Sequence, residues 1–192
     1  METVKTNATV DAKGLACPMP IVRTKKAINN MNSGEVLEVL ATDKGSRADI
    51  QAWAKSSGNQ YLGTVEEGDV LKHYIRKGGS DEEQEETKYP NVVSNDDVIK
   101  KLEANEDVVV LDVREPAEYA FGHIPNAVSI PFGDLENRLA ELDKSKTILV
   151  VCRTGNRSDM ASQTLSSNGF ENVWNVVPGM SQWNGPTDSK VK

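Results

Sequence analysis

The sequence is poor in cysteine and histidine. Among 192 residues there are two cysteines, Cys17 and Cys152, and two histidines, His73 and His123. None of these has the spacing of a zinc site, so no metal is expected. A single disulfide is conceivable, but the N-terminus from Met1 to Asn7 has no apolar signal segment. The chain is therefore expected in the cytoplasm, where thiols stay reduced, and the two cysteines read as free and reactive. Long apolar runs are also missing. A stretch such as Val108 to Leu111 falls far short of the ~20 residues that span a bilayer, so no membrane contact is expected. An overall basic balance is absent too: net charge is -7, which argues against stable nucleic-acid binding.

That charge is unevenly spread. Residues 1–77 carry +2, residues 78–90 carry -4 and residues 91–192 carry -5. The middle piece begins with Gly78-Gly79, runs through acidic residues and ends at Pro90. It has too little apolar surface to offset its own ordering entropy, so residues 78–90 read as an acidic linker between two domains. No internal repeat relates the two halves. A flexible tether of this length has an r.m.s. span of about 20 Å.

The front half predicts the order β-α-β-α-β-β, a small two-layer sandwich. Thr9 to Ala12 is a short strand closed by Gly14. Pro18 and Pro20 are tolerated together only in the first turn of a helix, so they set its start and put Cys17 at or next to its N-cap. This helix runs to about Met31. A strand follows from Glu35 to Ala41. Ser46-Arg47-Ala48-Asp49 has the pattern of a capping box, opening a helix that buries Ile50, Trp53 and Ala54. Gln60 to Val65 and Val70 to Arg76 form a hairpin through Glu67-Gly68.

The back half alternates strands and helices, as a parallel sheet covered by helices on both faces requires. Helices are expected after Ser94, over Glu115 to Phe121 and over Asp134 to Leu142. Strands are expected at Val108–Val113, Ala127–Ile130, Thr147–Val151 and Val173–Val177. The chemistry concentrates after the third of these helix–strand units. Thr147 to Val151 is a continuous β-branched run, and Met160 to Leu165 is a helix closed by Gly169. Between them lie Cys152, Arg153, Thr154, Gly155, Asn156, Arg157 and Ser158. A cysteine at a strand end, followed by a short loop and a helix N-terminus, meets backbone N–H groups and the positive end of a helix dipole. Both favour the nucleophilic thiolate. Asp112 and Arg114 lie at the carboxyl end of a neighbouring strand, where sites of open parallel sheets are found.

Two resemblances attach to these motifs. Residues 91–188 resemble the rhodanese family through Leu111-Asp112-Val113-Arg114-Glu115, Gly122-His123-Ile124-Pro125-Asn126-Ala127, the Cys152–Ser158 loop, and Pro178-Gly179-Met180 with Trp183-Asn184-Gly185-Pro186. Asn126 departs from the family, which often has glycine there. Residues 8–77 resemble the TusA family of sulfur carriers through Gly14-Leu15-Ala16-Cys17-Pro18-Met19-Pro20. The chain thus resembles a TusA–rhodanese fusion, an α/β protein of two domains. The resemblance implies a sulfurtransferase in which Cys152 and Cys17 carry sulfur as persulfides, with no separate cofactor. Cys152 to Arg157 makes a six-residue cradle. Related phosphatases and arsenate reductases of the same fold use seven, so the shorter loop favours sulfur over phosphate.

The expected reaction starts with Cys152 attacking the outer sulfur of thiosulfate or of a small-molecule persulfide. The loop from Arg153 to Ser158 binds the substrate, with Arg153 facing it and Arg157 turned inward to brace the loop against Asp112. Asp112, Arg114, Pro18 and Pro20 have supporting roles. Sulfur then passes between Cys152 and Cys17, and from there to a downstream acceptor protein or thiol. Two further classes stay open: a persulfide carrier or sensor with little thiosulfate turnover, and a phosphatase or arsenate reductase.

Overall fold

The computed structural model describes residues 3–79 and 89–191. The core of the acidic linker lies outside the described residues. The chain divides into two compact units, one containing residues 3–79 and the other residues 89–189.

The first unit is built on β1 (Ala8–Ala12), α1 (Met19–Asn29), β2 (Val36–Ala41), α2 (Ser46–Ser56), β3 (Gln60–Glu67) and β4 (Val70–Arg76). Its sheet order is β1-β2-β4-β3. β1 and β2 are parallel, because α1 carries the chain back between them. β3 and β4 form the expected antiparallel hairpin. Leu37, Val39 and Ala41 alternate onto one face, where they are fully buried with Ile28 of α1 and with Ile50 and Ala54 of α2. The opposite face is polar: Tyr74 Oη donates to Glu38 Oε2 at 2.7 Å.

Two details of this unit differ from expectation. Helix α1 stops at Asn29 rather than near Met31. Ser46 does not cap α2. It lies inside the first turn, with Gly45 at the cap, and its buried hydroxyl meets His73 Nε2 at 2.9 Å. His73 is fully buried on the helix side of β4, and its second nitrogen meets Thr64 Oγ1 at 2.8 Å. A hydroxyl needed by a buried imidazole cannot also cap the helix.

The second unit comprises β5 (Val92–Ser94), α3 (Asn95–Glu103), β6 (Val108–Asp112), α4 (Pro116–Phe121), β7 (Val128–Ser129), β8 (Thr147–Val151), α5 (Asn156–Ser167) and β9 (Val173–Val177). The sheet order is β5-β9-β8-β6-β7 and all pairings are parallel. Along β6 and β8 alternate residues face opposite ways. Leu111, Ile148 and Val150 join Ala161 and Leu165 of α5 on one side. Val110, Leu149 and Val151 join Val98 of α3 and Tyr119 of α4 on the other. Both faces are buried, which is why these strands are apolar throughout.

Ser94 caps α3 by accepting the Asp97 N–H at 3.1 Å, as its position suggests. Asn126 sits at φ 63°, a left-handed conformation that asparagine tolerates better than other side chains. It therefore stands in for glycine without loss of the turn. The expected helix over Asp134–Leu142 is instead two 3-10 segments, Phe132–Asn137 and Leu139–Glu141. Only Leu135 is buried there, too little apolar face to hold a full α-helix. The i,i+3 pair Arg138–Glu141 at 2.6 Å suits the tighter winding. The edge strand β5 is only three residues long and leaves almost no periodic signal in the sequence.

Candidate active site

Cys152 is the first residue beyond β8 and is fully buried. The loop is shorter than its six-residue cradle suggests, because α5 already begins at Asn156. Gly155 makes the turn at φ 98°, a conformation that strains any other residue. The turn aims the Gly155 N–H at Cys152 Sγ, 3.1 Å away. Ser158 Oγ, from the first turn of α5, lies 3.3 Å from the same sulfur. It also donates to Asn175 Oδ1 at 2.5 Å, and Asn175 Nδ2 donates to the Gly155 carbonyl at 3.2 Å. One hydroxyl proton serves either Asn175 or the sulfur. With the thiol present, Ser158 bonds to Asn175 and accepts from S–H; with a thiolate, it can turn its proton to the sulfur.

Arg157 is buried and turns inward, but not onto Asp112. Its guanidinium donates to Glu118 Oε2 at 2.9 Å and Oε1 at 3.2 Å. The Arg157 side chain therefore does not face the substrate as a binding group: it braces α5 against α4. Asp112 is taken by Arg114, which reaches it through Nε at 3.0 Å and Nη2 at 2.7 Å. Arg114 also donates to the Gly122 carbonyl at 2.7 Å. The Asp112–Arg114 pair thus ties β6 to the segment after α4. Of the loop side chains, Arg153, Thr154 and Asn156 are partly exposed, whereas Arg157 and Ser158 are buried.

Three positions matter here whose roles the sequence does not show, although Gly179 belongs to one of the motifs. Asn175 is a buried polar residue inside an apolar strand. Glu118 serves twice: it completes a capping box with Glu115 and it holds Arg157. Gly179 has φ 94°, and a side chain there would place Cβ 2.5 Å from the Cys152 carbonyl. That close approach lets the Met180 and Ser181 N–H groups bond to the carbonyls of Cys152 and Arg153, each at 2.9 Å. Asn95 fixes the same turn from α3, donating to the Gly179 carbonyl at 2.9 Å.

Cys17 occupies the first unit in a different setting. It precedes the Pro18 cap of α1 and is exposed, while Pro20 is buried in the first helical turn. Its N–H donates to Asp43 Oδ2 at 3.1 Å. A hydrogen bond to Asp49 pushes the thiol above the ordinary cysteine pKa, with loss of hydration and the negative fields of Asp49 and Asp43 acting the same way. The helix start alone predicts an activated thiol; Asp43 of the β2–α2 connection and Asp49 of the first turn of α2 act against it. Among the described residues no helix is long and apolar enough to cross a membrane.

Comparison with known proteins places both halves. The family model described as Sulfurtransferase TusA matches residues 8–77, and that described as Rhodanese-like domain matches residues 94–186. The chain is 48% identical over 185 residues to "Putative sulfur carrier protein YrkF" of Bacillus subtilis, covering 96% of this chain and 100% of that one. Its second half is 33% identical over 93 residues to a "Sulfurtransferase" of Allochromatium vinosum, covering 48% of this chain and 87% of the other. A solved rhodanese-like domain protein from Staphylococcus aureus is 32% identical, covers 52% of this chain and 98% of that one, and has a TM-score of 0.49. The chain belongs to the family of two-domain proteins that join a TusA-type sulfur carrier to a rhodanese-like sulfurtransferase domain.

Proposed function

We propose that the protein takes sulfane sulfur from thiosulfate or a small-molecule persulfide onto Cys152 and exchanges it with Cys17, which delivers it to an acceptor protein or thiol. In the first step the Cys152 thiolate attacks the outer sulfur. The S–S or S–thiol bond of the donor breaks, and sulfite or a thiolate leaves with the electron pair. The observation that carries the reading is the sulfur's own environment: the Gly155 N–H and the Ser158 hydroxyl converge on Sγ at the head of a twelve-residue helix. These donors stabilise negative charge on the cysteine and then on the added sulfur. Arg153, Thr154 and Asn156, at the partly exposed rim, meet the donor. Asp112, Arg114 and Arg157 hold the frame.

Phosphoryl chemistry fits less well. A tetrahedral oxyanion calls for a guanidinium in the cradle, and Glu118 occupies that of Arg157 with two hydrogen bonds. The complete burial of Cys152 favours one second reading, a carrier charged by a partner protein with little turnover on thiosulfate. A thiosulfate–cyanide assay separates the two, since rapid turnover requires free access of small donors.

The relay is tested by exposing single-cysteine variants to thiosulfate and weighing them intact. Cys17→Ser should gain the mass of one sulfur atom on Cys152. Cys152→Ser should leave Cys17 unloaded. Loading of Cys17 that is unchanged in Cys152→Ser refutes the relay.

A further inference from the structure

Tyr89 falls in the stretch whose composition reads as linker, yet its side chain is buried in the core of the second unit. It shares that core with Cys152, with Ala161 and Leu165 of α5 and with Val173 of β9. Both ends of the residue are bonded. Its backbone N–H donates to Asp159 Oδ1 at 2.8 Å, in the first turn of α5. Its phenol donates to the carbonyl of Val173, the first residue of β9, at 3.1 Å. Asp159 is itself buried, and its second oxygen accepts Gln163 Nε2 at 2.7 Å. A buried carboxylate bonded through both oxygens keeps one orientation, so Tyr89 is a strut between α5 and β9.

These two elements also hold the donors around the sulfur. The Asp159 N–H bonds the Gly155 carbonyl at 3.0 Å, and the Gly155 N–H points at Cys152 Sγ from 3.1 Å. A run of three hydrogen bonds thus leads from Tyr89 through Asp159 and Gly155 to the sulfur. From β9, Asn175 donates to the same Gly155 carbonyl and accepts from Ser158. Gly155 has no side chain to pin it, so the partners of its carbonyl decide where its N–H is aimed.

We propose that Tyr89 and Asp159 are positioning residues for Cys152: together they lock the head of α5 to β9 and so aim the Gly155 N–H at the sulfur. The proposal rests on reading Cys152 as the residue that takes up sulfane sulfur. Both residues act through Gly155, and neither meets the sulfur donor. The residue that closes the linker stretch is thereby part of the frame of the active site. Releasing one anchor should slow sulfur uptake about tenfold, less than the ~10²-fold that a full 1 Å misplacement can cost.

The test uses the full-length Cys17→Ser chain, in which Cys152 is the sole thiol. It is mixed with thiosulfate or with a small-molecule persulfide, and the gain of one sulfur atom is timed by intact mass. Asp159→Ala removes the acceptor of the Tyr89 N–H and should slow loading about tenfold. Asp159→Asn keeps an oxygen for that N–H and an amide that can donate to a turned Gln163, so it should load nearly as fast as the parent. Tyr89→Phe keeps the buried ring but frees the Val173 carbonyl, and should load several-fold more slowly. Parent-like loading in both Asp159→Ala and Tyr89→Phe overturns the proposal. So does Asp159→Asn as slow as Asp159→Ala, because charge rather than aim would then matter. In a second measurement, amide hydrogen exchange by NMR follows the Gly155 N–H without any sulfur transfer. In Tyr89→Phe and Asp159→Ala its exchange should quicken several-fold relative to the Leu149 amide at the centre of the sheet. General loss of stability moves both amides alike, so equal acceleration, or none at Gly155, overturns the strut. Failure of the parent chain to load refutes the reading of Cys152 itself, whereas exchange at Gly155 judges the strut independently.

Discussion

Replacing Glu118 by alanine tests the frame of the Cys152 loop most directly. The side chains of Glu118 and Arg157 are 0% and 8% exposed, and two hydrogen bonds join them. Removing the carboxylate leaves a guanidinium in a site with little access to water. Breaking a buried pair from one side costs about 3–5 kcal/mol, mostly as uncompensated desolvation. Glu118 also accepts the Glu115 N–H at 2.9 Å as half of the capping box, which adds about 1 kcal/mol. For a domain of this size, 1 kcal/mol moves Tm by about 4–8 °C, so the total predicts a fall of at least ~15 °C. The two units need not unfold together, so scanning calorimetry of the full chain is the proper assay, with the rhodanese-like transition falling and the carrier transition staying in place. A shape-matched apolar pair, Glu118→Leu with Arg157→Met, should recover most of the loss, because it removes both charges at once. A fall under ~4 °C in Glu118→Ala, or a double variant worse than the single one, would refute the assignment of this pair as the brace between α4 and α5.

Other outcomes follow from the same geometry. Gly179→Ala should cost about 1–3 kcal/mol from backbone strain at φ 94° and further displace the Cys152 carbonyl; denaturant unfolding and sulfur loading at Cys152 should fall together. Asn175→Ala should destabilise the domain by about 2–4 kcal/mol in denaturant unfolding, since it strips partners from both the Ser158 hydroxyl and the Gly155 carbonyl. In the carrier domain, burial pushes the His73 pKa down to about 4, with the Arg47 charge adding to the effect. The unfolded chain takes up this proton near pH 6.5 and the folded one does not until about pH 4. Stability from neutral His73 is therefore full above pH 6.5 and is lost as pH falls toward 4. His73→Gln should flatten that part of the urea-midpoint profile for this domain, and an unchanged slope would count against the burial argument.

Much of the molecule was legible from local pattern. The continuous β-branched run Thr147–Val151 specified a strand buried on both faces, Pro18 and Pro20 specified where α1 starts, and Ser94 specified the cap of α3. The positions of Cys17 and Cys152 follow from these, because a strand end or a helix start is set by neighbours in sequence. What local pattern missed depends on partners far along the chain. Ser46 looks like a helix cap until His73, 27 residues away, claims its hydroxyl. Arg157 is expected to brace the loop against Asp112, but folding brings Glu118 to it across 39 residues.

The sequence by itself determined two α/β domains and placed one cysteine after a strand and the other at a helix start, because strand periodicity and proline position are local properties. Tertiary structure alone decided how each sulfur behaves. Cys152 is buried among a glycine N–H, a serine hydroxyl and the asparagine behind them. Cys17 is exposed, with Asp43 from the end of the next strand on its N–H and Asp49 from the first turn of α2 adding to the negative field. The charge a thiol can carry depends on which dipoles and ions lie within a few ångströms of it, and those neighbours are assembled by the fold.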